Sequence, residues 1–309
     1  AINMSLDIEV VNEIAAEMGV DPAFVEKDWY SVQVLKAISE FQSDTISTVF
    51  SGGTSLSKGY GLLERFSEDL DFRCEYIVDG AGHQKKKMRS GYRNNIISTI
   101  HECKDIHLDE GDIEIASNYI KFPLRYPYQL QYHSALRSHL EVEFSFTQPR
   151  LAPETQSIQS WVSKFIGSPP EADILCLSPI ETGGDKLSAL TWRVLKRDRQ
   201  SLKDDPAMVR HLHDLCALAP IITADVDLFV DTALSSFAED QLTGARNTEK
   251  SFVESMRQAF DALKSDEKYK IEYQQYVENM SYANDEDDIS FAVALDSFER
   301  LIALCIKYY

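Results

Sequence analysis

The sequence predicts an α+β fold in which an N-terminal half of mixed strands and helices precedes a helical C-terminal half. Three observations carry this prediction: alternation of apolar and polar residues over 138–146, a strand that runs into Gly52-Gly53, and helical periodicity through the second half. A chain of 309 residues is long enough for two moderate domains. We therefore predict domains at 1–155 and 156–309.

The N-terminal half opens with helical residues over 7–40, divided by a break at 19–22. Asp21 is a good N-cap, and Pro22 suits the first position of a helix. Periodicity predicts the other elements of this half in chain order: a strand at 46–50, a helix at about 54–64, a strand at 69–73, a helix at 84–104, paired strands at 112–120 and 124–132 joined near Pro123, and a strand at 138–146.

The C-terminal half is predicted to be helical from Ile158 onward, with breaks at its prolines. One helix is expected over 184–199, starting after Gly183-Gly184, because its apolar residues form a stripe at helical spacing. Another begins after Asp204-Asp205-Pro206, and an amphipathic helix ends the chain.

Composition is that of a globular protein, with 44% apolar and 26% charged residues. No stretch approaches the roughly 20 apolar residues that span a bilayer, and the N-terminus does not resemble a secretory signal. Five cysteines without a CxxC spacing indicate reduced thiols and no disulfide framework. These features predict a cytoplasmic protein with no membrane partner.

The net charge of −19 argues against broad nucleic-acid binding, which is driven by basic surface. A nucleic-acid substrate would therefore have to meet a local basic patch. The best candidate is the segment Lys85, Lys86, Lys87, Arg89 and Arg93. The alternative is an ordinary solvated basic helix.

The segment 51–72 holds the most informative motif. Gly52-Gly53 lets the backbone turn tightly and lets a ligand approach, and the following residues offer hydroxyl groups and a lysine. Asp69 and Asp71 lie two apart on a predicted strand, so both carboxylates point to one face. Such a pair is costly without a cation between the carboxylates, and Mg²⁺ prefers oxygen ligands. The alternative, a polar loop, is disfavoured by the order strand, Gly-Gly, helix, strand.

Two further groups of charged residues are candidates. Glu141 and Glu143 share the polar face of the strand at 138–146, so either is a possible third metal ligand or a proton acceptor, or both simply face solvent. Lys186 and Arg193 lie along one edge of a predicted helix, where they would hold a triphosphate or form a solvated face. Asp214 follows Arg210 at i, i+4, which also fits a surface ion pair.

Together these motifs resemble the AbiEii/AbiGii family of toxin nucleotidyltransferases, relatives of the DNA polymerase beta superfamily. The first family motif matches Gly52 to Lys58 and then Arg65, Ser67, Asp69 and Asp71. Upstream, the helix with Glu26-Lys27-Asp28 is also similar. The later motifs match Glu143 in Leu-Glu-Val-Glu-Phe, Lys186 to Leu190 with Arg193, and Arg210-His211 with Asp214-Leu215.

The resemblance implies a nucleotidyltransferase-like mixed sheet with flanking helices, followed by a helical domain that contributes Lys186 and Asp214 to the active site. It implies that Asp69, Asp71, Lys186 and Asp214 are catalytic. Asp69, Asp71 and Glu143 would bind one or two Mg²⁺. The expected NTP-binding residues are Gly52, Gly53, Thr54, Ser55, Lys58, Arg65, Ser67 and Arg193.

The resemblance further implies the toxin of a toxin–antitoxin or phage abortive-infection system, with a cognate antitoxin. The expected reaction is transfer of a nucleoside monophosphate from an NTP to RNA, such as the end of a tRNA, through the patch Lys85–Arg93. Two alternatives remain: transfer to a protein or small molecule, and a non-catalytic module that binds a nucleotide or antitoxin.

Overall fold

The computed structural model describes residues 6–130 and 133–308. The chain divides into two compact units, Ala1–Gly61 with Phe66–Leu177 and Leu62–Arg65 with Ser178–Tyr309. The first unit is α+β and the second is helical, so the predicted fold class is confirmed. Among the described residues, no helix is long and apolar enough to cross a membrane.

A mixed sheet forms the first unit. Its strands are β1 (Ile46–Ser51), β2 (Asp69–Tyr76), β3 (His107–Leu108), β4 (Glu114–Ile115), β5 (Tyr119–Arg125), β6 (Leu140–Ser145), β7 (Glu154–Ile158) and β8 (Ala172–Cys176). Their order is β3-β5-β6-β2-β1-β8-β7, with β4 also paired to β5. The central strand β2 runs antiparallel to β1 and parallel to β6.

The helices of this unit are α1 (Ile8–Met18), α2 (Pro22–Glu40), α3 (Gly52–Thr54), α4 (Gly82–Glu102) and α5 (Trp161–Phe165). The predicted cap of α2 is present, since Asp21 accepts a hydrogen bond from the Ala23 amide. Helices α2 and α4 contribute to the core that covers one face of the sheet. At its centre Phe72 stacks on Phe144, with ring centroids 4.8 Å apart. The polar residues of β2 and β6 therefore point to the opposite face.

Three sequence-based expectations for this unit were wrong. The helix expected at 54–64 is instead the short α3 and one π-helical turn over Ser55–Gly59. The strands expected at 112–120 and 124–132 do not form a pair joined at Pro123: the short β4 pairs with β5, and β5 itself contains Pro123. Residues 131–132 lie outside the described range. Strands β3 and β4 pair with residues on either side of Phe122-Pro123, and proline is tolerated where no ladder partner needs its missing N–H.

The third wrong expectation is helix from Ile158 onward, because β7 ends at that residue and β8 follows. Strand β8 lies beside β1 in parallel orientation, and Leu177 donates a backbone hydrogen bond to Phe50. The first unit consequently extends to Leu177, whereas the sequence-based boundary stands after residue 155. A five-residue strand carries too little periodicity to be recognised without its partner.

The helices of the second unit are α6 (Pro179–Leu195), α7 (Arg210–Ala217), α8 (Ala219–Ala224), α9 (Val226–Gln241), α10 (Phe252–Ser265), α11 (Lys268–Tyr276) and α12 (Phe291–Lys307). Helix α6 does not start after Gly183-Gly184 as expected, but at Pro179. A β-carbon on Gly184 would lie 2.9 Å from the Ala233 amide nitrogen of α9. These glycines therefore sit inside the helix because α9 packs closely against it.

The short segment 62–65 belongs to this second unit although it comes from the middle of the first in sequence. Its backbone pairs with the loop after α11: Tyr282 donates from its amide to the Glu64 carbonyl over 2.9 Å and from its hydroxyl to the Leu63 carbonyl over 3.0 Å. Arg65 forms a bridge with Ser281. Arg65 therefore belongs to the helical unit, although Asp69 of the first unit follows it only four residues later in the chain.

Candidate active site

Four carboxylates share one face of the sheet in the first unit. The parallel pairing of β2 and β6 places Asp69 opposite Glu141 and Asp71 opposite Glu143. The residues between them, such as Leu70 and Val142, are buried in the core. Side chains that are paired across adjacent strands approach to within a few ångströms. The tertiary fold thus unites the two carboxylate pairs that were separate candidates in the sequence.

Backbone contacts hold β2 against the Gly-Gly turn. The Thr54 hydroxyl donates to the Asp69 carbonyl over 2.5 Å, and the Ser51 hydroxyl donates to the Asp71 carbonyl over 3.2 Å. Gly52 has φ +75°, and a β-carbon built on it would lie 2.3 Å from Asp71 Oδ2. Residue 52 has to be glycine because the Asp71 carboxylate takes the space of a side chain.

Arg137 and Lys121 bring positive charge among the four carboxylates. Arg137 Nη1 forms a very short ion pair with Asp69 and lies 3.6 Å from Glu141 Oε1. Lys121 of β5 lies 3.2 Å from Glu141 Oε1 and 3.7 Å from Glu143 Oε2. Neither cation was identified from the sequence. Lys121 is one polar residue of the alternating strand β5, and Arg137 lies in an irregular segment that no motif marks.

The electrostatics of this face reflect the mutual repulsion of its carboxylates. Burial raises the pKa of Glu143 above its usual value, and the nearby Glu141 and Asp69 raise it further, while Lys121 opposes them. Burial lowers the pKa of Lys121, but Glu141 and Glu143 outweigh it and keep that pKa above its usual value. Added positive charge at this face would therefore be favourable.

The donor types suit a magnesium ion, because carboxylate oxygens are its preferred protein ligands. The side chains as arranged do not yet form such a site: within the described residues, no three His, Cys, Asp or Glu side chains converge to hold a metal. Arg137 is bound to Asp69 in this arrangement. The carboxylates are thus chemically suited to a divalent cation, and the Arg137 guanidinium contacts Asp69, one of the predicted metal ligands.

Helix α2 supplies three consecutive buried charges that anchor this region. Glu26 accepts a hydrogen bond from the Gln129 amide over 2.7 Å, and Asp28 accepts one from the Trp161 amide over 2.8 Å. Lys27, between them, has no exposed side-chain surface and pairs with Glu68 over 2.5 Å. Charged side chains this deeply buried are costly unless they are paired, so each one fixes a loop in place.

The Lys27–Glu68 pair holds the backbone of Arg137 from both sides. Lys27 Nζ donates to the Arg137 carbonyl over 2.8 Å, and Glu68 Oε2 accepts from the Arg137 amide over 3.0 Å. Glu68 immediately precedes Asp69 in the chain. A buried ion pair therefore fixes the backbone from which the Arg137 side chain reaches Asp69.

Lys58, a predicted nucleotide-binding residue, is bound to groups of α2 and of the segment that leads into α5. It forms a very short ion pair with the buried Asp28, lies 4.9 Å from the centroid of the Trp161 ring, and donates to the Gln159 carbonyl over 3.3 Å. Its side chain is 12% exposed. Of the other residues in this motif, Gly53 and Ser55 are buried and Ser67 is half-buried.

A second cluster of charges lies inside the helical unit. Asp214 of α7 is fully buried, and Arg65 binds both of its carboxylate oxygens through Nε at 2.8 Å and Nη2 at 2.7 Å. Lys186 Nζ of α6 lies 2.8 Å from Asp214 Oδ2, and His213 Nδ1 lies 2.9 Å from Oδ1. Three residues predicted from separate motifs are thus in direct contact within this unit.

Positive charge dominates the surroundings of Asp214. Burial alone would raise the pKa of its carboxyl, but Arg65 and Lys186 hold that pKa well below its usual range. For the neighbouring His211, burial together with the charges of Lys186 and Arg193 keeps the pKa well below its usual value. Within this unit, Asp214 is the anionic centre of a cationic cluster and fixes the position of Lys186.

Arg193, another predicted nucleotide-binding residue, lies on α6. It donates to Asp205 over 3.0 Å, and its guanidinium lies 5.0 Å from the ring centroid of Trp192. Burial lowers its pKa, and the charges of Arg246 and Arg210 act in the same direction against that of Asp205. Concentrated positive charge of this kind attracts anions in an otherwise acidic protein.

The basic patch of Lys85, Lys86, Lys87, Arg89 and Arg93 lies on the first half of α4 in the first unit. Lys86 and Lys87 are exposed. The inner members of the patch pack on aromatic rings, with Lys85 5.2 Å from the centroid of Tyr76 and Arg89 5.8 Å from that of Phe146. Aromatic packing therefore holds Lys85 and Arg89 in place, whereas Lys86 and Lys87 are accessible to an anion from solvent.

The profile of one protein family, described as the nucleotidyl transferase AbiEii toxin of type IV toxin–antitoxin systems, matches residues 33–302. Among solved structures, the chain is similar to MenT4, a nucleotidyltransferase toxin from Mycobacterium tuberculosis H37Rv, with a TM-score of 0.66 and 18% sequence identity. That alignment covers 98% of this chain and 90% of the other. No curated protein matches the chain significantly. The structural likeness shows a common fold, and the family match spans most of the sequence.

Proposed function

Because the chain belongs to the family of AbiEii nucleotidyl transferase toxins of type IV toxin–antitoxin systems, we propose that it transfers a nucleoside monophosphate from an NTP to RNA with the help of Mg²⁺. The resemblance predicted from the motifs is confirmed, and the protein is a nucleotidyltransferase. Membership also implies an NTP substrate and a cognate antitoxin. The observation that carries the proposal is the paired row of carboxylates on β2 and β6.

We assign metal binding to Asp69, Asp71 and Glu143. Glu143 is preferred over Glu141 because Glu141 is already approached by Lys121, Arg137 and His139, whereas Lys121 lies farther from Glu143. A bound Mg²⁺ would neutralise phosphate charge and activate the acceptor hydroxyl. One or two ions are compatible with this ligand set.

The protein's own groups orient the reacting parts. Gly52 leaves space beside the Asp71 carboxylate, and the hydroxyls of Ser51 and Thr54 hold the backbone of β2 so that both aspartates keep their direction. The resemblance assigns catalytic roles to Lys186 and Asp214 and a nucleotide-binding role to Arg193. These assignments, together with those of Gly53, Ser55, Lys58, Arg65 and Ser67, stay predictions.

The RNA acceptor is proposed to meet the exposed lysines of α4. A protein with a net charge of −19 repels RNA over most of its surface, so a local cationic patch has to supply the attraction. Changing Lys86 and Lys87 together to glutamine should weaken RNA labelling and lower its dependence on salt. The matched control is the same change at the exposed Lys268 and Lys270 of α11. Equal loss in both variants would remove α4 from the proposal.

The experiment that tests the reaction is incubation of the protein with each labelled NTP, Mg²⁺ and total bacterial RNA, followed by a denaturing gel. We expect label on tRNA with one NTP, lost in Asp69→Asn and kept in Asp173→Asn, a control at an exposed position on β8, which β1 separates from β2. Full transfer by the Asp69 variant would refute the metal assignment.

Other outcomes identify the alternatives. Pyrophosphate release in cell extract without labelled RNA would point to a protein or small-molecule acceptor. Calorimetric binding of Mg–NTP without pyrophosphate release would indicate a non-catalytic binding module. Phage defence stays a prediction from the family resemblance, and a cytoplasmic location stays a prediction from the cysteines and apolar pattern of the sequence. Growth arrest on expression without the antitoxin tests the toxin role in cells.

A further inference from the structure

We propose that Arg137 is a built-in counter-cation of the metal site, which neutralises Asp69 and Glu141 in the metal-free protein and has to leave Asp69 for a divalent cation to bind. This inference rests on the proposed function, because it takes Asp69 as a metal ligand. It adds a residue that no motif identified, and it explains why carboxylates of suitable chemistry do not converge in the described structure.

The first argument is the position of the guanidinium. Arg137 Nη1 contacts Asp69 directly and lies 3.6 Å from Glu141 Oε1, so one nitrogen serves carboxylates of both β2 and β6. A divalent cation that bridges these strands would need the same oxygen atoms. Two cations that compete for one set of oxygens exclude each other, since each repels the other at this distance.

The second argument is how the arginine is held. Its backbone is bound on both sides by Lys27 and Glu68, whereas its side chain is 37% exposed. The anchor is rigid because Lys27 is fully buried and paired. A side chain that reaches from a fixed backbone toward solvent can leave Asp69 by rotating its own bonds, with no change in the fold. The backbone of Arg137 would stay next to the site after the guanidinium has moved away from Asp69.

The third argument is electrostatic. Asp69, Asp71, Glu141 and Glu143 place four carboxylates on one face, and Lys121 lies within 4 Å of both glutamates. Arg137 supplies the additional positive charge. Such a residue reduces the repulsion among the carboxylates when no metal ion is bound. The same interaction has to be broken when a metal ion binds, so it lowers the affinity for metal ions.

The test measures metal binding without turnover. Mn²⁺ is titrated into the full chain, and free Mn²⁺ is followed by its electron paramagnetic resonance signal. We expect Arg137→Gln to bind Mn²⁺ about tenfold or more tightly than the wild type, the size expected when a charge-assisted hydrogen bond no longer competes. Arg137→Lys keeps the charge but loses the planar fork, and its affinity should lie between the two.

The matched control is Arg125→Gln, which removes the same charge from the exposed ion pair of Arg125 with Asp112 on the same sheet. Its Mn²⁺ affinity should change by about twofold or less, because Arg125 and Asp112 are both exposed and solvent screens their charges. If Arg125→Gln tightens binding as much as Arg137→Gln, or if both Arg137 variants bind Mn²⁺ no more tightly than the wild type, the inference is overturned while the proposed function stands. If no variant binds Mn²⁺ and the wild type does not either, the proposed metal site itself is wrong and the inference falls with it.

Discussion

The Asp71 carboxylate occupies the space in which a β-carbon on Gly52 would lie, 2.3 Å from its Oδ2 atom. This contact joins the Gly-Gly turn to the carboxylate face, because the Asp71 side chain leaves no room for a side chain at residue 52. The positive φ of Gly52 is a second reason for glycine at this position.

Gly52→Ala is therefore expected to displace Asp71 and to abolish nucleotidyl transfer. It should also lower the free energy of unfolding by about 1–3 kcal/mol more than Gly61→Ala, since overpacking adds to the backbone strain. Gly61 is the matched control, with φ +64° and no atom within 4 Å of an added β-carbon. Urea denaturation of both variants and the transfer assay measure these effects. Equal behaviour of the two variants would show that the contact with Asp71 has no consequence.

Glu141 and Glu143 are expected to differ in their contribution to activity. Glu143→Gln should reduce transfer at least about 100-fold, as removal of one preorganised electrostatic group commonly does. Glu141→Gln should reduce it much less, because Glu141 is engaged by Lys121 and Arg137. Single-turnover rates at saturating NTP and Mg²⁺ distinguish the two. The reverse order would make Glu141 the third ligand.

Asp214→Ala should destabilise the helical unit by about 3–5 kcal/mol, because it leaves buried positive charge without its partner. Arg65 and Lys186 both depend on this carboxylate, which has no exposed surface. The exposed pair of Arg125 and Asp112 is the reference, and Asp112→Ala should cost at most about 1 kcal/mol. Chemical denaturation of both variants measures the difference. A cost for Asp214→Ala as small as that for Asp112→Ala would contradict the proposed anchoring role.

Stability should fall as the pH falls below about 6.5, the usual pKa of histidine, with a contribution from His211. Burial and the neighbouring Lys186 and Arg193 depress the pKa of His211 in the folded protein, so it stays neutral there. In the unfolded chain, His211 takes up its proton near the usual histidine pKa. Between that pH and the lower pKa of the folded protein, the unfolded chain binds more protons than the folded chain, so a falling pH favours unfolding.

One such group contributes a slope of at most about 1.4 kcal/mol per pH unit. The unfolding free energy measured between pH 5 and pH 7 should therefore depend less on pH in His211→Gln than in the wild type. The control is His107→Gln, at an exposed position on β3. An unchanged slope in His211→Gln would show that this histidine does not stay neutral in the folded protein.

Much of the candidate site could be predicted from the sequence, for identifiable reasons. The motif from Gly52 to Asp71 is local, and its glycines and carboxylates imply a turn and a shared strand face without knowledge of the rest of the chain. The alternation around Glu143 likewise defines β6 and the face on which its glutamates lie. The candidate residues on β2 and β6 could therefore be named from the sequence, but not the strand pairing that brings them together.

The sequence alone determined the α+β class, the glycine turn, the two carboxylate pairs and the family, because each depends on local periodicity or on a contiguous motif. Only the tertiary structure decided that Asp69 stands opposite Glu141, that β8 completes the sheet beside β1, and that Lys27 and Glu68 bring Arg137 to Asp69. The physical reason is that these relationships join residues distant in the chain. Strand register, the pairing of buried charges and the path of an irregular segment depend on how the whole core packs, which no local pattern encodes.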